Sequence, residues 1–326
     1  MNLDFLTKTY GEIETRYEET NGEGVDIIGV PTGFSELDED TGGLRNDSVT
    51  LIAARTGLGK SAFAMSIMMM QIARGIPVVY HSLEMSEPMM VLRMLSMLTG
   101  IPALIIERGR LKKRENLEAI KTAMEWLKDK PLDIIDKGLT SAELTDYYGN
   151  NYPKARVYYV DHMGILRDPI SNLYEKMSLV ADNVRAVARD LDKPVISVAQ
   201  LNRAVDNREG HIPSNADLRD SGKIEENAET IWMPFRPNYY IEAGMDDGER
   251  VKEGQAERNA KIFMTKNRYG PSGQGYSVWF YPHSALWTDQ TEPVRLPKAV
   301  IQPAARTPIP RSFTSGNLAN LVREGR

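Results

Sequence analysis

No cysteine occurs among the 326 residues. Disulfides and cysteine-ligated zinc modules are thereby excluded, and the composition fits a reducing compartment, here read as the cytoplasm. Histidine is scarce too. The four present are scattered, so no histidine-based metal centre is expected. Also missing is any apolar run approaching the roughly 18 residues that cross a bilayer. The opening Met1-Asn2-Leu3-Asp4-Phe5 lacks the basic-then-apolar order of a signal peptide, so no membrane partner is expected. Nor is there an excess of positive charge, with 40 Lys and Arg against 45 Asp and Glu. Any nucleic-acid contact must then come from a local basic surface, such as the inside of a ring.

What is present begins with Ala54-Arg55-Thr56-Gly57-Leu58-Gly59-Lys60-Ser61. A short β-branched, apolar run, Ser48-Val49-Thr50-Leu51-Ile52-Ala53, precedes it and reads as a buried strand. Residues 62–74 follow, mostly apolar and free of Gly and Pro, and read as a buried helix. Strand, Gly-containing turn, Lys-Ser and helix form the arrangement of a P-loop. Successive N–H groups of such a turn point at phosphate oxygens, and the helix N-terminus adds the positive end of its dipole. The predicted ligand is therefore a nucleotide, ATP with Mg²⁺. Lys60 reaches its β- and γ-phosphates, and the Ser61 hydroxyl sits on the metal. Ala54 stands where the motif has its first Gly, and its methyl group is tolerable only if the backbone stays in the ordinary region.

Around this stretch, strands at 78–83, 132–135, 156–161, 194–200 and 229–235 alternate with helices at 87–99, 112–128, 141–148 and 174–192. Several of the strands are continuously apolar. That pattern predicts an α/β fold with a mostly parallel sheet flanked by helices on both faces. Residues 261–266 and 276–280 add a hairpin pair. The Met-rich stretch from Met65 to Met97 reads as adaptable core. Residues 202–216 turn polar and read as a mobile loop, and 241–258 as a solvated acidic excursion. Three parts are expected. Residues 1–24 hold a helix with one apolar stripe (Leu3, Leu6, Tyr10, Ile13 and Tyr17) that must dock on something. Residues 25–290 form the core, and 291–326 a Pro-rich basic tail read as disordered.

Hydrolysis needs more than a phosphate cradle: an acid for the metal and a carboxylate for the attacking water. Asp161 closes an apolar strand on the edge where the P-loop lies and is placed as the metal acid. Glu84 ends another strand on that edge and is the candidate base. Gln200, also at a strand end, has the position of a sensor of the γ-phosphate.

Several motifs then occur in a recognisable order. They are Pro-Thr-Gly-Phe-x-x-Leu-Asp and Thr-Gly-Gly-Leu within 31–44, the P-loop, Ser82-Leu83-Glu84-Met85, Asp161, and Gln200-Leu201-Asn202-Arg203. Asp217-Leu218-Arg219-Asp220-Ser221-Gly222 and Lys266-Asn267-Arg268-Tyr269-Gly270-Pro271 complete the set. From about residue 29 to 290 the chain resembles the RecA-like motor domain of DnaB-type replicative helicases. The resemblance implies a hexameric ring moving 5′ to 3′ on single-stranded DNA by ATP hydrolysis. It also implies Glu84 as catalytic glutamate and Asp161 as Walker B acid. Lys266 and Arg268 become fingers reaching the phosphates held by a neighbouring subunit. Arg219, Asp220 and Gly222 match the loop that holds the DNA backbone, although family members usually carry Glu at the position of Asp220. Arg203 is a further expected DNA contact, with Arg208 beside it.

DnaB-type proteins usually carry an N-terminal helical domain. Here only its connecting helix, residues 1–20, is expected, packing on the adjacent motor domain. Such a stripped motor suits a phage-encoded helicase, and primase, polymerase or a loader are its candidate partners. Two other readings stay open: a RecA-like recombinase or loader-type ATPase that binds DNA without unwinding it, and an architectural ring that uses nucleotide only as glue.

Overall fold

In the computed structural model, the described residues are 3–20, 27–218, 222–245 and 258–290. The tail expected at 291–326, most of the acidic excursion at 241–258, and Arg219, Asp220 and Ser221 lie outside them.

The first elements are α1 (Leu3–Glu19), α2 (Ser35–Thr41), β1 (Val49–Ala54), α3 (Lys60–Ala73), β2 (Val78–Ser82) and α4 (Glu87–Thr99). Next come α5 (Ala103–Glu107), α6 (Arg114–Lys128), β3 (Leu132–Ile135), α7 (Leu144–Asn151), β4 (Val157–Asp161), α8 (Leu173–Leu191) and β5 (Val195–Gln200). The chain continues with α9 (Gly222–Asn227), β6 (Thr230–Phe235), α10 (Pro237–Glu242), β7 (Ala260–Asn267), β8 (Gln274–Tyr281) and β9 (Leu286–Thr288).

These strands join one sheet, ordered β3-β2-β4-β5-β1-β6-β7-β8-β9. The six from β3 to β6 run parallel, and the last three are added antiparallel. β1, β2, β4 and β6 are buried along their whole length, which is why they read as unbroken apolar runs rather than alternating ones. One face is covered by the Met-rich α3 and α4, where Met65, Met68, Met69, Met94 and Met97 fill the core. The other is covered by α7 and α8, with Tyr148, Val180, Val184 and Val187 in a second core.

The expected α/β architecture is the observed one, with α5, α10 and β9 as additions to the sequence pattern. The larger correction concerns 202–216, read as a mobile loop. Short 3-10 turns at Arg203–Asn207 and Asn215–Asp217 build it. Asn202 N–H donates to the Asp217 carbonyl at 2.7 Å. The Arg208 guanidinium forks onto both oxygens of the buried Asp217 carboxylate at 2.8 and 2.7 Å. Polar composition misleads here because Arg208, Ser214 and Asp217 are bonded to one another, while Asn202, Arg203 and Glu209 face solvent as the composition suggests.

α1 matches the predicted helix. Leu6, Tyr10, Ile13 and Tyr17 on its stripe are 45%, 63%, 56% and 65% exposed, so the stripe finds no cover among the described residues.

Candidate nucleotide site

β1 is the central strand from which the site grows. Its register sets Ala54 beside Gln200, and β2 and β4 set Ser82 beside Asp161. The ends of four parallel strands therefore open on one edge, where the turn at 55–59 leads into α3. Gly57 and Gly59 take φ of 87° and 95°, which is left-handed backbone that a side chain would strain. Space adds a second reason. A Cβ on Gly57 would lie 2.8 Å from the Tyr239 ring, and one on Gly59 would lie 3.1 Å from the Trp287 indole nitrogen. Ala54 is buried in ordinary strand backbone, so the methyl in place of the motif's first Gly costs nothing in conformation.

Ser61, in the first turn of α3, donates through Oγ to Asp161 Oδ1 at 3.1 Å. The other carboxylate oxygen, Oδ2, accepts from the Tyr80 hydroxyl at 2.7 Å. Asp161 is 1% exposed. Burial pushes its carboxyl above the ordinary value, while the Tyr80 and Ser61 hydroxyls and the Lys60 ammonium pull the other way by favouring the ion. Tyr80 is fully buried and stacks on Tyr159 with centroids 5.0 Å apart. Lys60 is largely buried. Its Nζ lies 3.9 Å from Oε2 of the half-exposed Glu84. Next to Asp161, burial and the Lys60 charge hold the His162 ring below its usual pKa.

A hydroxyl and one carboxylate 3.1 Å apart are hard oxygen donors of the kind Mg²⁺ takes. Among the described residues, no group of three or more His, Cys, Asp and Glu is arranged to hold a metal by itself. The donor set thus suits a cation that arrives with phosphate oxygens of its own.

Two residues of this site carry no local signal in the sequence. Arg236 donates to the Gly57 carbonyl at 3.1 Å, and the Tyr239 hydroxyl to that of Thr56 at 3.1 Å. Both belong to the α10 region, far along the chain. The usable clue is that Arg236-Pro237-Asn238-Tyr239 directly follows β6, whose end lies on the same edge as the P-loop.

Lys266 and Arg268 stand elsewhere. β7 pairs Lys266 with Ile231 and Asn267 with Thr230, and Thr230 pairs with Thr50 at the start of β1. Four residues of β1, roughly 13 Å, separate that level from Ala54. The two cations thus lie at the opposite edge of the sheet from their own P-loop. Lys266 Nζ donates to the Glu225 carbonyl, and Arg268 to that of Glu226 at 2.9 Å, both near the end of α9. Arg268 also meets the buried Glu229 carboxylate at 3.3 Å. Burial and the neighbouring Arg268 charge hold the Lys266 ammonium below its ordinary pKa.

Of the expected DNA contacts, Gly222 is the first residue of α9, and Arg203 is exposed on the 3-10 turn that follows β5. Arg219 and Asp220 lie outside the described residues. Arg208 is committed to Asp217.

Comparison with known proteins places this geometry. The DnaB-like helicase C-terminal domain family matches residues 29–287. The replicative DNA helicase DnaB of Pasteurella multocida is 32% identical over 279 residues, 82% of this chain and 57% of its own length. The replicative DNA helicase DnaC of Bacillus subtilis is 30% identical over 277 residues, 83% of this chain and 58% of its own. The chain thus spans just over half the length of the curated relatives it matches. Among solved structures, one described as an ATPase domain superposes with a TM-score of 0.75 at 27% identity, covering 86% of this chain and 98% of that one. A DnaB-like replicative helicase, solved in a study of its interactions with primase, gives 0.74 at 27% identity over 88% of this chain and 66% of that one.

Proposed function

The chain belongs to the DnaB-like helicase C-terminal domain family, and from that premise we propose that it is an ATP-driven DNA motor. In this reading it assembles as a hexameric ring in the cytoplasm, moves 5′ to 3′ on single-stranded DNA and unwinds duplex at a replication fork. The observation that carries the proposal is the division of one catalytic set between opposite sheet edges. Cradle, metal donors and base lie on one, and the Lys266 and Arg268 cations on the other, where phosphates held by a neighbouring subunit would meet them.

Each residue then has a task. The N–H groups of 55–61 and the Lys60 ammonium bind the phosphates, and Lys60 exchanges its Glu84 partner for the β- and γ-oxygens. Ser61 and Asp161 would hold Mg²⁺, which would supply charge neutralisation on the same phosphates. Released from Lys60, Glu84 orients the attacking water and accepts its proton as the γ-phosphoryl group passes to that water and ADP leaves. Gln200 reads the γ-phosphate. Lys266 and Arg268 stabilise the charge of transfer from across the subunit interface, so that hydrolysis depends on assembly. Residues 25–290 act as the motor, and the exposed stripe of α1 docks on the neighbouring motor. Arg203 and Arg219 through their guanidinium groups, and Asp220 and Gly222 through backbone N–H, grip the DNA backbone, which carries no sequence information and suits stepping along any strand. Primase, polymerase or a loader are proposed partners at the fork.

The test is strand displacement on a forked duplex with a 5′ single-stranded tail, using Glu84→Gln as control. Unwinding that requires ATP, Glu84 and the 5′ tail is expected. Single-stranded DNA-stimulated hydrolysis without unwinding, on a fork where loading is not limiting, would instead favour the recombinase-like reading.

A further inference from the structure

Arg55 stands at a position that the general P-loop motif leaves unspecified, and most of its donors are committed to one partner segment. Its Nε donates to Asp206 Oδ2 at 2.9 Å, and a terminal nitrogen of the guanidinium lies 2.8 Å from the same oxygen. The other terminal nitrogen donates to the Leu201 carbonyl at 3.2 Å. The two side chains are only 13% and 21% exposed, so water competes weakly for the pair. Leu201 directly follows Gln200, and its N–H donates to the Ala54 carbonyl at 3.1 Å. Asp206 lies on the 3-10 turn Arg203–Asn207, three residues from the exposed Arg203. At that spacing the two side chains share one side of a 3-10 turn. The same segment is closed on itself by the bridge between Leu201 and Leu218 and by the Arg208–Asp217 fork.

The phosphate cradle and the turn carrying Arg203 are thus joined directly by one guanidinium. We infer that the Arg55–Asp206 pair is a positioning link through which DNA seated on this turn sets the P-loop for hydrolysis. In this role Asp206 acts through Arg55 rather than on nucleotide or DNA. The inference rests on the proposed reading of the chain as a DNA-dependent ATPase. It goes beyond that reading by assigning the connection to one ion pair.

The test uses the full chain and measures ATP turnover with and without oligo(dT), along with oligo(dT) affinity by fluorescence anisotropy. Asp206→Asn keeps the size of the side chain and removes its charge. Basal turnover and oligo(dT) affinity are expected to stay within about threefold of wild type, while stimulation by DNA falls at least about fivefold, the lower range of typical site-to-site coupling. Asp206→Glu, which can still pair with Arg55, should recover most of the stimulation. Unchanged stimulation in Asp206→Asn overturns the inference. So does a parallel loss of basal turnover or of DNA affinity, because the pair would then merely support one site. If wild type shows no stimulation at all, the reading of a DNA-dependent motor fails together with the link. If wild type is stimulated and Asp206→Asn is equally stimulated, only the link fails.

Discussion

The two edges of the sheet hold charge in opposite ways. At the P-loop edge, acids meet cations and hydroxyls: Lys60 on Glu84, Arg55 on Asp206, and the Ser61 and Tyr80 hydroxyls on Asp161. At the far edge, Lys266 and Arg268 rest on backbone carbonyls near the end of α9 and on Glu229. Cations there satisfy the unpaired carbonyls of a helix end and the negative end of its dipole. The first edge is shaped to receive a polyanion. The second holds cations far from the cradle of its own chain. In the proposed reading, the cradle and the two cations of one chain lie too far apart to serve each other, so catalysis would need an interface between copies.

The sharpest way to break this comparison is Arg268→Ala. ATP binding should persist, while turnover falls by about 10³ to 10⁵, the usual worth of an arginine finger. Equal activity in wild type and variant would make the far-edge cations ordinary surface charge. Glu84→Gln probes the near edge. It should bind ATP normally and lose about 10² to 10⁴ in turnover, the range of general-base catalysis; a full rate would move the base to another residue.

The smallest effect concerns the scaffold of the cradle edge. Burial works to raise the Asp217 carboxyl, but the Arg208 guanidinium and the Ser214 N–H and hydroxyl together hold it below its ordinary value. A carboxyl depressed in the folded state contributes its stability above the unfolded value, and loses it as pH falls through the folded one. Asp217→Asn should therefore cost about 1.5–3 kcal/mol at neutral pH, as for hydrogen bonds to charged groups. In denaturant melts, the gap to wild type should close as pH drops below about 4. A gap that does not depend on pH would mean that shape, and not charge, holds the segment.

The legible parts of the fold are local ones. The P-loop, the apolar strands and the acid that ends β4 are contiguous patterns, and their order along one sheet edge follows from parallel topology. What escapes a sequence reading is pairing over long separations. Tyr80 lies two residues before Ser82, on the same side of β2, and reaches Asp161 on the neighbouring strand. A strand buried on both faces gives no alternation to show which side meets the acid. Tyr239 and Arg236 cover the P-loop from some 180 residues away along the chain. The segment 202–216 is largely solvent-facing, as its composition suggests, but composition does not reveal that Asp206 and Arg208 are held in ion pairs. The proposed role of Lys266 and Arg268 rests on family resemblance, since hairpin cations carry no local sign of such a role.

If one subunit's cations complete another's site, mixing two inactive variants should restore activity. Lys60→Ala lacks a working cradle but keeps its finger, and Arg268→Ala lacks the finger but keeps its cradle. Combined in equal amounts within one ring, they place an intact cradle opposite an intact finger at roughly a quarter of the interfaces. ATP turnover is expected to return in the mixture to a fraction of that order, although each variant alone is inactive. Mixed rings that form and remain as inactive as their parts would contradict it.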